Sequence, residues 1–286
     1  MESKTKQLAT FVILPLSILV AVVFVANVKA SSEHLLEVDF LDVGQGDSIF
    51  IQTYQGTQIV IDGGPSDAVL SELGKQMPFW DRSIDLLILT HPDADHSSGF
   101  IDILKRYKVK TMMLTKVTAP TATYQEFLKL LDEEGSEKIY AQTGQRVWLD
   151  NSTVFDVYYP PAGVEDQGLS TNNTGIVGKL TFGQTKILFT ADIDRIVEDT
   201  IRGQFDLDAD ILKVGHHGSK YSSSKEFIEA VSPKIGVIEV GKDNTYGHPT
   251  EEALGNLAAS HVEVLRTDLD GTVEFVSDGY NLSLIR

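Results

Sequence analysis

The stretch Asp85-Leu86-Leu87-Ile88-Leu89-Thr90-His91-Pro92-Asp93-Ala94-Asp95-His96 decides how the rest of the chain is read. Residues 85–89 form a short apolar run, the pattern of a strand buried on both faces. Such a strand delivers the chain to a sheet edge, where loops carry function. The next residues hold four metal-ligand types: His91, Asp93, Asp95 and His96. In extended chain, residues two apart face the same side, so His91 and Asp93 can grip one ion together. Asp95 and His96 stand where the chain enters a helix expected over 97–107, and that change of direction can turn them to a second ion. Imidazole and carboxylate together suit zinc, iron or manganese. A competing reading makes Asp93, Asp95 and Ser97 simple helix caps. It accounts for one aspartate but not for four ligand types so close together. The chain has no cysteine, which excludes a thiolate site and a disulfide framework.

On either side of this stretch, strands alternate with helices. Alternating or continuous apolar runs predict strands at 36–41, 48–52, 58–62 and 111–114, with helices at 66–76 and 124–134. The second half predicts strands at 147–149, 153–159, 175–182, 186–190, 211–214, 235–240, 263–265, 272–276 and 281–285. Its helices are expected at 194–202, 225–231 and 251–261. Residues 160–175 are rich in turn formers and read as a long surface loop. Two strand-rich halves, each with helices, imply two packed sheets with helices outside, an α/β layered sandwich occupying residues 35–286 as one domain.

Residues 1–30 stand apart. Lys4 and Lys6 precede a 19-residue apolar heart at 8–26, long enough to span a bilayer. Val28-Lys29-Ala30 also has the outline of a signal-peptidase site. Signal peptide and membrane anchor both place the domain outside the cell, secreted or held on the outer face of the membrane. The whole chain of 286 residues carries a net charge of −17. Residues 1–30 are net basic, so the domain itself is more acidic still. That balance repels a long nucleic-acid track.

Further segments sharpen the picture: Asp42-Val43-Gly44-Gln45-Gly46-Asp47-Ser48, Asp62-Gly63-Gly64, Thr190-Ala191-Asp192, Gly215-His216-His217-Gly218-Ser219 and Tyr246-Gly247-His248-Pro249. In this order with the His91–His96 motif, they resemble the metallo-β-lactamase superfamily. Within it they resemble the C-terminal hydrolase domain of the competence protein ComEC and its stand-alone relatives. The resemblance spans residues 35–285. It implies a four-layer αββα sandwich, here preceded by one N-terminal apolar helix, with metals at one edge of the sheets. It implies two divalent ions, zinc or manganese, held by His91, Asp93, Asp95, His96, Asp192 and His217, with Asp192 bridging. Asp192 could also cap the helix at 194–202. Either member of the histidine pair could be the ligand, His217 being the better match, with the other facing substrate. His248 would complete the second site or donate a proton.

Three departures from that pattern stand out. Asp93 occupies the place of a histidine, and Ala191 that of a glycine. No histidine lies between residues 97 and 215. The first metal site is left with His91, Asp93 and the bridge, unless Asn172, Asn173 or water contributes. Such an oxygen-rich site favours a harder ion such as manganese.

The expected activity is an exported two-metal hydrolase, a phosphodiesterase or nuclease using metal-activated water. Asp95, His216 and His248 are the expected catalytic residues, with Lys213 or Lys220 steadying phosphate charge. Its partners would be a phosphoester, single-stranded DNA included, and a membrane through an uncleaved N-terminal segment, with no protein partner. The alternatives are hydrolysis of a small non-nucleic-acid ester or lactam, and an exported binding protein with a decayed site.

Overall fold

The computed structural model describes residues 35–285. The apolar run at 8–26, its expected helix and His34 lie outside the described residues. Among the described residues, no helix is long and apolar enough to cross a membrane.

The first half runs β1 (Leu36–Phe40), β2 (Ile49–Gln52), β3 (Gln58–Ile61), α1 (Ala68–Gln76), β4 (Ser83–Ile88), α2 (Ala94–Arg106), β5 (Lys108–Leu114), α3 (Ala122–Glu134) and β6 (Glu137–Tyr140). The second half runs β7 (Arg146–Trp148), β8 (Thr153–Tyr159), β9 (Val177–Phe182), β10 (Thr185–Phe189), α4 (Arg195–Arg202), β11 (Ile211–Lys213), α5 (Lys225–Val231), β12 (Ile235–Ile238), α6 (Glu251–Ala259) and β13 (Glu263–Arg266). The chain closes with α7 (Thr267–Asp270), β14 (Val273–Ser277) and β15 (Leu282–Leu284). One sheet has the order β15-β14-β1-β2-β3-β4-β5-β6 and the other β13-β12-β11-β10-β9-β8-β7. The last hairpin thus returns to the first sheet.

Strand alternation builds the layers. Val38, Phe40, Ile49, Ile51, Ile59 and Ile61 meet Phe155, Leu180, Ile187, Phe189, Ile211 and Val237 between the sheets. Their sequence neighbours turn outward: Leu41, Phe50 and Val60 pack with Leu73, Phe100 and Phe127 of α1, α2 and α3. Leu188, Leu212 and Ile238 pack with Val197, Ile228 and Leu257 of α4, α5 and α6. These three apolar contacts make four layers, αββα, as expected. Each sheet is apolar on both faces, which is why several strands read as unbroken hydrophobic runs.

The differences from the sequence reading are local. Helix α2 begins at Ala94, not 97, so Asp95 and His96 belong to its first turn. Strand β6 escaped the sequence because only Ile139 of its four residues is even partly buried, leaving no apolar alternation. The 160–175 loop contains two short 3-10 turns, Val164–Asp166 and Asn172–Thr174.

Strands β3, β4 and β5 run parallel, as do β10, β11 and β12. The loops at the C-terminal ends of such strands are where α/β sheets collect their ligands. Asp47, Asp62, His91, Asp192, His217 and Glu239 all follow the C-terminal end of a strand in this set or of β1, which runs the same way.

Candidate metal centre

Two glycines allow the loops to converge on α2. A Cβ on Gly46, whose φ is +152°, would lie 2.2 Å from the Asp95 carbonyl oxygen. A Cβ on Gly99 would lie 1.9 Å from the Gly63 carbonyl oxygen. The first turn of α2 therefore sits directly on the loops after β1 and β3, and any side chain at either position would push it off.

Asp93 stands at the N-cap of α2 but its side chain makes no capping bond. The capping account of this motif therefore fails for Asp93. It also fails for Asp192, because Asp194 caps α4 by accepting from the Ile196 N–H at 3.0 Å.

Asp95, His96, Asp192 and His217 place four ligand atoms within 4.8 Å of one another. The His217 Nε2 lies 3.4 Å from Asp95 Oδ2 and 3.3 Å from Asp192 Oδ2, and the His96 Nε2 lies 3.4 Å from Asp192 Oδ2. Behind the cage, the other ring nitrogen of each histidine is tied down. His96 Nδ1 donates to Asp62 Oδ2 at 2.8 Å, and His217 Nδ1 donates to the Glu239 carbonyl at 2.8 Å. His91 Nδ1 donates to Thr90 Oγ1 at 2.9 Å, and that hydroxyl donates to Asp62 at 2.7 Å. This fixes the tautomer that turns each Nε2 lone pair toward the cleft, the pattern of metal-bound histidines. The Nε2 atoms of His91, His96 and His217 are buried without a hydrogen-bond partner. A buried polar atom without a partner is costly, and three converging imidazole nitrogens beside carboxylates fit a divalent ion.

The electrostatics point the same way. Burial alone would lower the His96 and His217 imidazoles, but Asp192, with Asp62 beside His96 and Asp47 beside His217, raises both well above the usual range. Burial alone would raise Asp192, yet His217 and His96 hold it well below the usual carboxylate range. The cage thus calls for positive charge. His91, by contrast, is pushed down to about 3 by burial and by the neighbouring His96, so it is a neutral imidazole.

His91 and Asp93 do not join the cage. The His91 Nε2 lies 3.9 Å from Asp93 Oδ2, and the histidine ring 4.0 Å from His91 is that of His96, already part of the cage. Asn173, one of the two candidate helpers, is spent on Asp194, donating at 2.6 Å and accepting at 3.0 Å. Asn172 remains at the cleft, with Nδ2 3.2 Å from His216 Nε2. The structure therefore presents one four-ligand cage and one incomplete site.

The histidine pair separates by position. His217 is buried in the cage, whereas His216 lies on the wall of a cleft of about 160 Å³ that also meets Tyr246 and His248. The His216 and His248 rings are 5.7 Å apart, and burial followed by His216 lowers the His248 imidazole. His248 stays outside the cage. Asp62, Ala191, His216 and His217 all have positive φ, between 45° and 58°. Backbone strain of this kind, in residues other than glycine, gathers at functional sites.

The lysines require correction. Lys213 is 1% exposed and its ammonium is engaged with Asp47, 3.7 Å from Asp192 and 3.4 Å from the Ala191 carbonyl. It braces the cage from behind and cannot reach a substrate. Lys220 lies over the Tyr221 ring and Lys225 pairs with Glu229, so neither lines the cleft. No lysine or arginine is among the residues lining the cleft.

Asp47, Asp62, Lys213 and Glu239 carry weight that local sequence signals did not assign. Asp47, Asp62 and His96 also cluster, but the Lys213 ammonium already sits against Asp47 there, so this group is a support network. Burial would raise Asp47, and Lys213, His217 and His96 overcome it and hold it ionised. The Glu239 carboxyl, pushed well above its usual range by burial and by Asp47, accepts the Ser48 N–H at 2.8 Å. The Asp42–Ser48 turn and the Asp62-Gly63-Gly64 segment are the available signals.

This fold and this cage define a metallo-β-lactamase-type centre. The sequence profile described as the Metallo-beta-lactamase superfamily matches residues 41–241, and the chain belongs to that superfamily. Its relatives are ComEC-like competence proteins. It is 34% identical over 257 residues to ComE operon protein 3 of Bacillus subtilis, covering 84% of this chain and 33% of that one. It is 29% identical over 250 residues to competence protein ComA of Neisseria gonorrhoeae, covering 86% and 33%. The chain thus spans about a third of the length of these relatives. The metallo-beta-lactamase fold protein YhfI from Bacillus subtilis matches 85% of this chain and 100% of its own, with a TM-score of 0.59 and 15% identity, a likeness of fold.

Proposed function

We propose that this protein is an exported, metal-dependent phosphodiesterase, with nuclease activity on single-stranded DNA as its first substrate class. The observation that carries the reading is the cage of Asp95, His96, Asp192 and His217 with its unpartnered, converging imidazole nitrogens. A divalent ion held there would supply Lewis acidity and lower the pKa of a bound water to about 7.

The chain's own residues define the rest. Asp62 and the Glu239 carbonyl orient the two cage histidines, and Lys213 neutralises the carboxylates behind them. His216 and His248 stand on the cleft wall within reach of a leaving-group oxygen. The downward shift of His248 leaves its imidazole neutral at neutral pH, suited to taking up a proton. His91 and Asp93 offer two ligands to a second ion, whose remaining positions Asn172, water or the substrate would fill. The export reading rests on Lys4, Lys6 and the apolar run at 8–26.

One observation favours a compact substrate over a nucleic-acid strand. The cleft is small, lined by Asp93, Asp95 and Asp192, and no lysine or arginine lines it. A small phosphodiester is therefore the second reading.

The test is hydrolysis of single-stranded DNA beside bis-p-nitrophenyl phosphate by metal-stripped protein reloaded with manganese or zinc, with Asp95→Ala as control. Cleavage of both that requires metal and Asp95 supports the first reading, and cleavage of the small diester alone supports the second. A loaded protein that cleaves neither sends the search to lactams and carbonyl esters. A protein that binds no metal brings the binding-protein reading to first place.

A further inference from the structure

The edge of the sandwich opposite the metal centre carries the chain's exposed aromatic residues of greatest size. Phe79 and Trp80, in the loop between α1 and β4, are 79% and 67% exposed, and their rings meet edge to face at 4.9 Å. Trp148, at the end of β7, is 63% exposed, and Tyr280, in the turn between β14 and β15, is 76% exposed. These are both tryptophans of the chain.

Hydrogen bonds place the turns that bear them side by side. Gln58 Nε2 donates to Asp81 Oδ2 at 3.0 Å, linking the Phe79–Trp80 loop to the β2–β3 hairpin. The Gln55 N–H in that hairpin donates to Asp150 Oδ2 at 3.3 Å, reaching the turn after Trp148. The Gln184 N–H donates to the Gly279 carbonyl at 2.6 Å, joining the β9–β10 turn to the turn of Tyr280. Tyr54, in the β2–β3 hairpin, shares this edge with its ring against Phe182, whereas Tyr140, Tyr221 and Tyr246 lie toward the metal edge, and Tyr246 lines the cleft.

The carboxylates of the aromatic edge are turned back into their own turns. Asp81 accepts from the Ser83 N–H and hydroxyl, Asp150 from the Ser152 and Thr153 N–H groups, and Asp278 from the Tyr280 and Asn281 N–H groups. The turns that bear Trp80, Trp148 and Tyr280 thus combine outward rings with acids engaged by their own backbone.

The chain itself supplies the reason for this placement. Strand β1 is antiparallel to β2, and β2 to β3, so β1 begins at the same edge at which β4 begins. Leu36, paired with Ser277 just before the Tyr280 turn, therefore enters the sheet at the edge that also bears Trp80. Nine residues, 27–35, separate it from the apolar run at 8–26. Fully extended they reach about 30 Å. Tryptophan and tyrosine favour the headgroup region of a bilayer, where the ring is buried and its polar atom stays wet.

We propose that Phe79, Trp80, Trp148 and Tyr280 form a lipid-interface contact that seats this edge on the bilayer and turns the metal cleft away from it. The proposal rests on the membrane-anchor part of the functional reading and is independent of the chemistry at the cage.

The test uses the full chain reconstituted in phosphatidylcholine vesicles, with Trp148→Phe reporting Trp80 alone and Trp80→Phe reporting Trp148 alone. The apolar run contains no tryptophan, so the fluorescence reads only this edge. Flotation with the vesicles reports the anchor. Bromine-labelled lipids and aqueous acrylamide report the position of the rings. The expected result is flotation, roughly twofold or greater quenching of Trp80 by lipids brominated near the headgroup, and reduced acrylamide access. Phe79→Ser should weaken the lipid quenching without altering flotation. Flotation with both tryptophans open to acrylamide and untouched by bromolipid overturns the contact while leaving the anchor. Protection from acrylamide without bromolipid quenching overturns it in favour of protein covering the edge. Failure to float overturns anchor and contact together.

Discussion

Two groups of carboxylates are buried in the first sheet's surroundings, and they behave oppositely. At the metal edge, Asp47, Asp95 and Asp192 are held below the usual carboxylate range despite burial, because His217, His96 and, for Asp47, Lys213 surround them. On the outer face of the same sheet, Asp39 lies across from Glu274 in register and two residues from Glu37. Burial first, then Glu274 and Glu37, raises Asp39 to about 8. Asp39, Asp47 and Asp192 are alike in residue type and are all buried, and the neighbours decide. Acids surrounded by several imidazoles or an ammonium, as Asp47 and Asp192 are, stay ionised and have an affinity for cations, whereas Asp62, with His96 as the single imidazole set against its burial and Asp47, is raised. Acids brought together with other acids take up a proton instead.

The largest test of this contrast removes a cage carboxylate. Asp192→Asn should lose tight divalent-metal binding and lower phosphodiester turnover by on the order of 10³-fold, corresponding to several kcal/mol of transition-state stabilisation. Metal content and bis-p-nitrophenyl phosphate hydrolysis check it.

The next removes the buried cation. Lys213→Met leaves Asp47 and Asp192 without their ammonium and should cost about 3–5 kcal/mol in the metal-free protein. Added manganese should recover part of that loss, because its charge replaces the missing one and it binds only the folded state. Urea midpoints with and without the ion measure both effects.

The third concerns the outer cluster, whose sign is reversed. With its pKa raised above the unfolded value, Asp39 is protonated in the folded state and ionised in the unfolded state between about pH 4 and 8. Its contribution therefore falls as pH rises through that window and levels off above it. Asp39→Asn should stabilise the protein by about 2–4 kcal/mol at pH 8, have little effect below pH 4, and flatten the slope between. Chemical denaturation across that range decides it.

The smallest effect is at Ala191, whose φ of 45° places a non-glycine residue in the left-handed region beside Asp192. Ala191→Gly should relieve strain, leaving a net gain of about 0.5 kcal/mol after the added freedom of the unfolded chain. A thermal scan measures it.

Legibility in the sequence followed the same division. The four layers were readable because alternating apolar residues serve both faces of each sheet, and the His91–His96 motif was readable because its ligands are close in sequence. The pairings that make the cage were not. Asp47 meets Lys213 and His217 across most of the chain, and only the fold brings them together. A buried lysine engaged with carboxylates and an exposed lysine ready for phosphate look alike in sequence, so sequence alone does not separate Lys213 from a lysine that meets substrate. The early start of α2 was also hidden, since Asp93, Ala94 and Asp95 are as compatible with a loop as with a first helical turn.

The central claim is that one complete cage, at Asp95, His96, Asp192 and His217, stands beside an incomplete site at His91 and Asp93. Manganese titration followed by paramagnetic resonance, in the intact chain and in His217→Ala and His91→Ala, tests it most directly. The account predicts a tight first equivalent that His217→Ala abolishes and His91→Ala leaves in place. A first equivalent that survives His217→Ala and is lost in His91→Ala would contradict it.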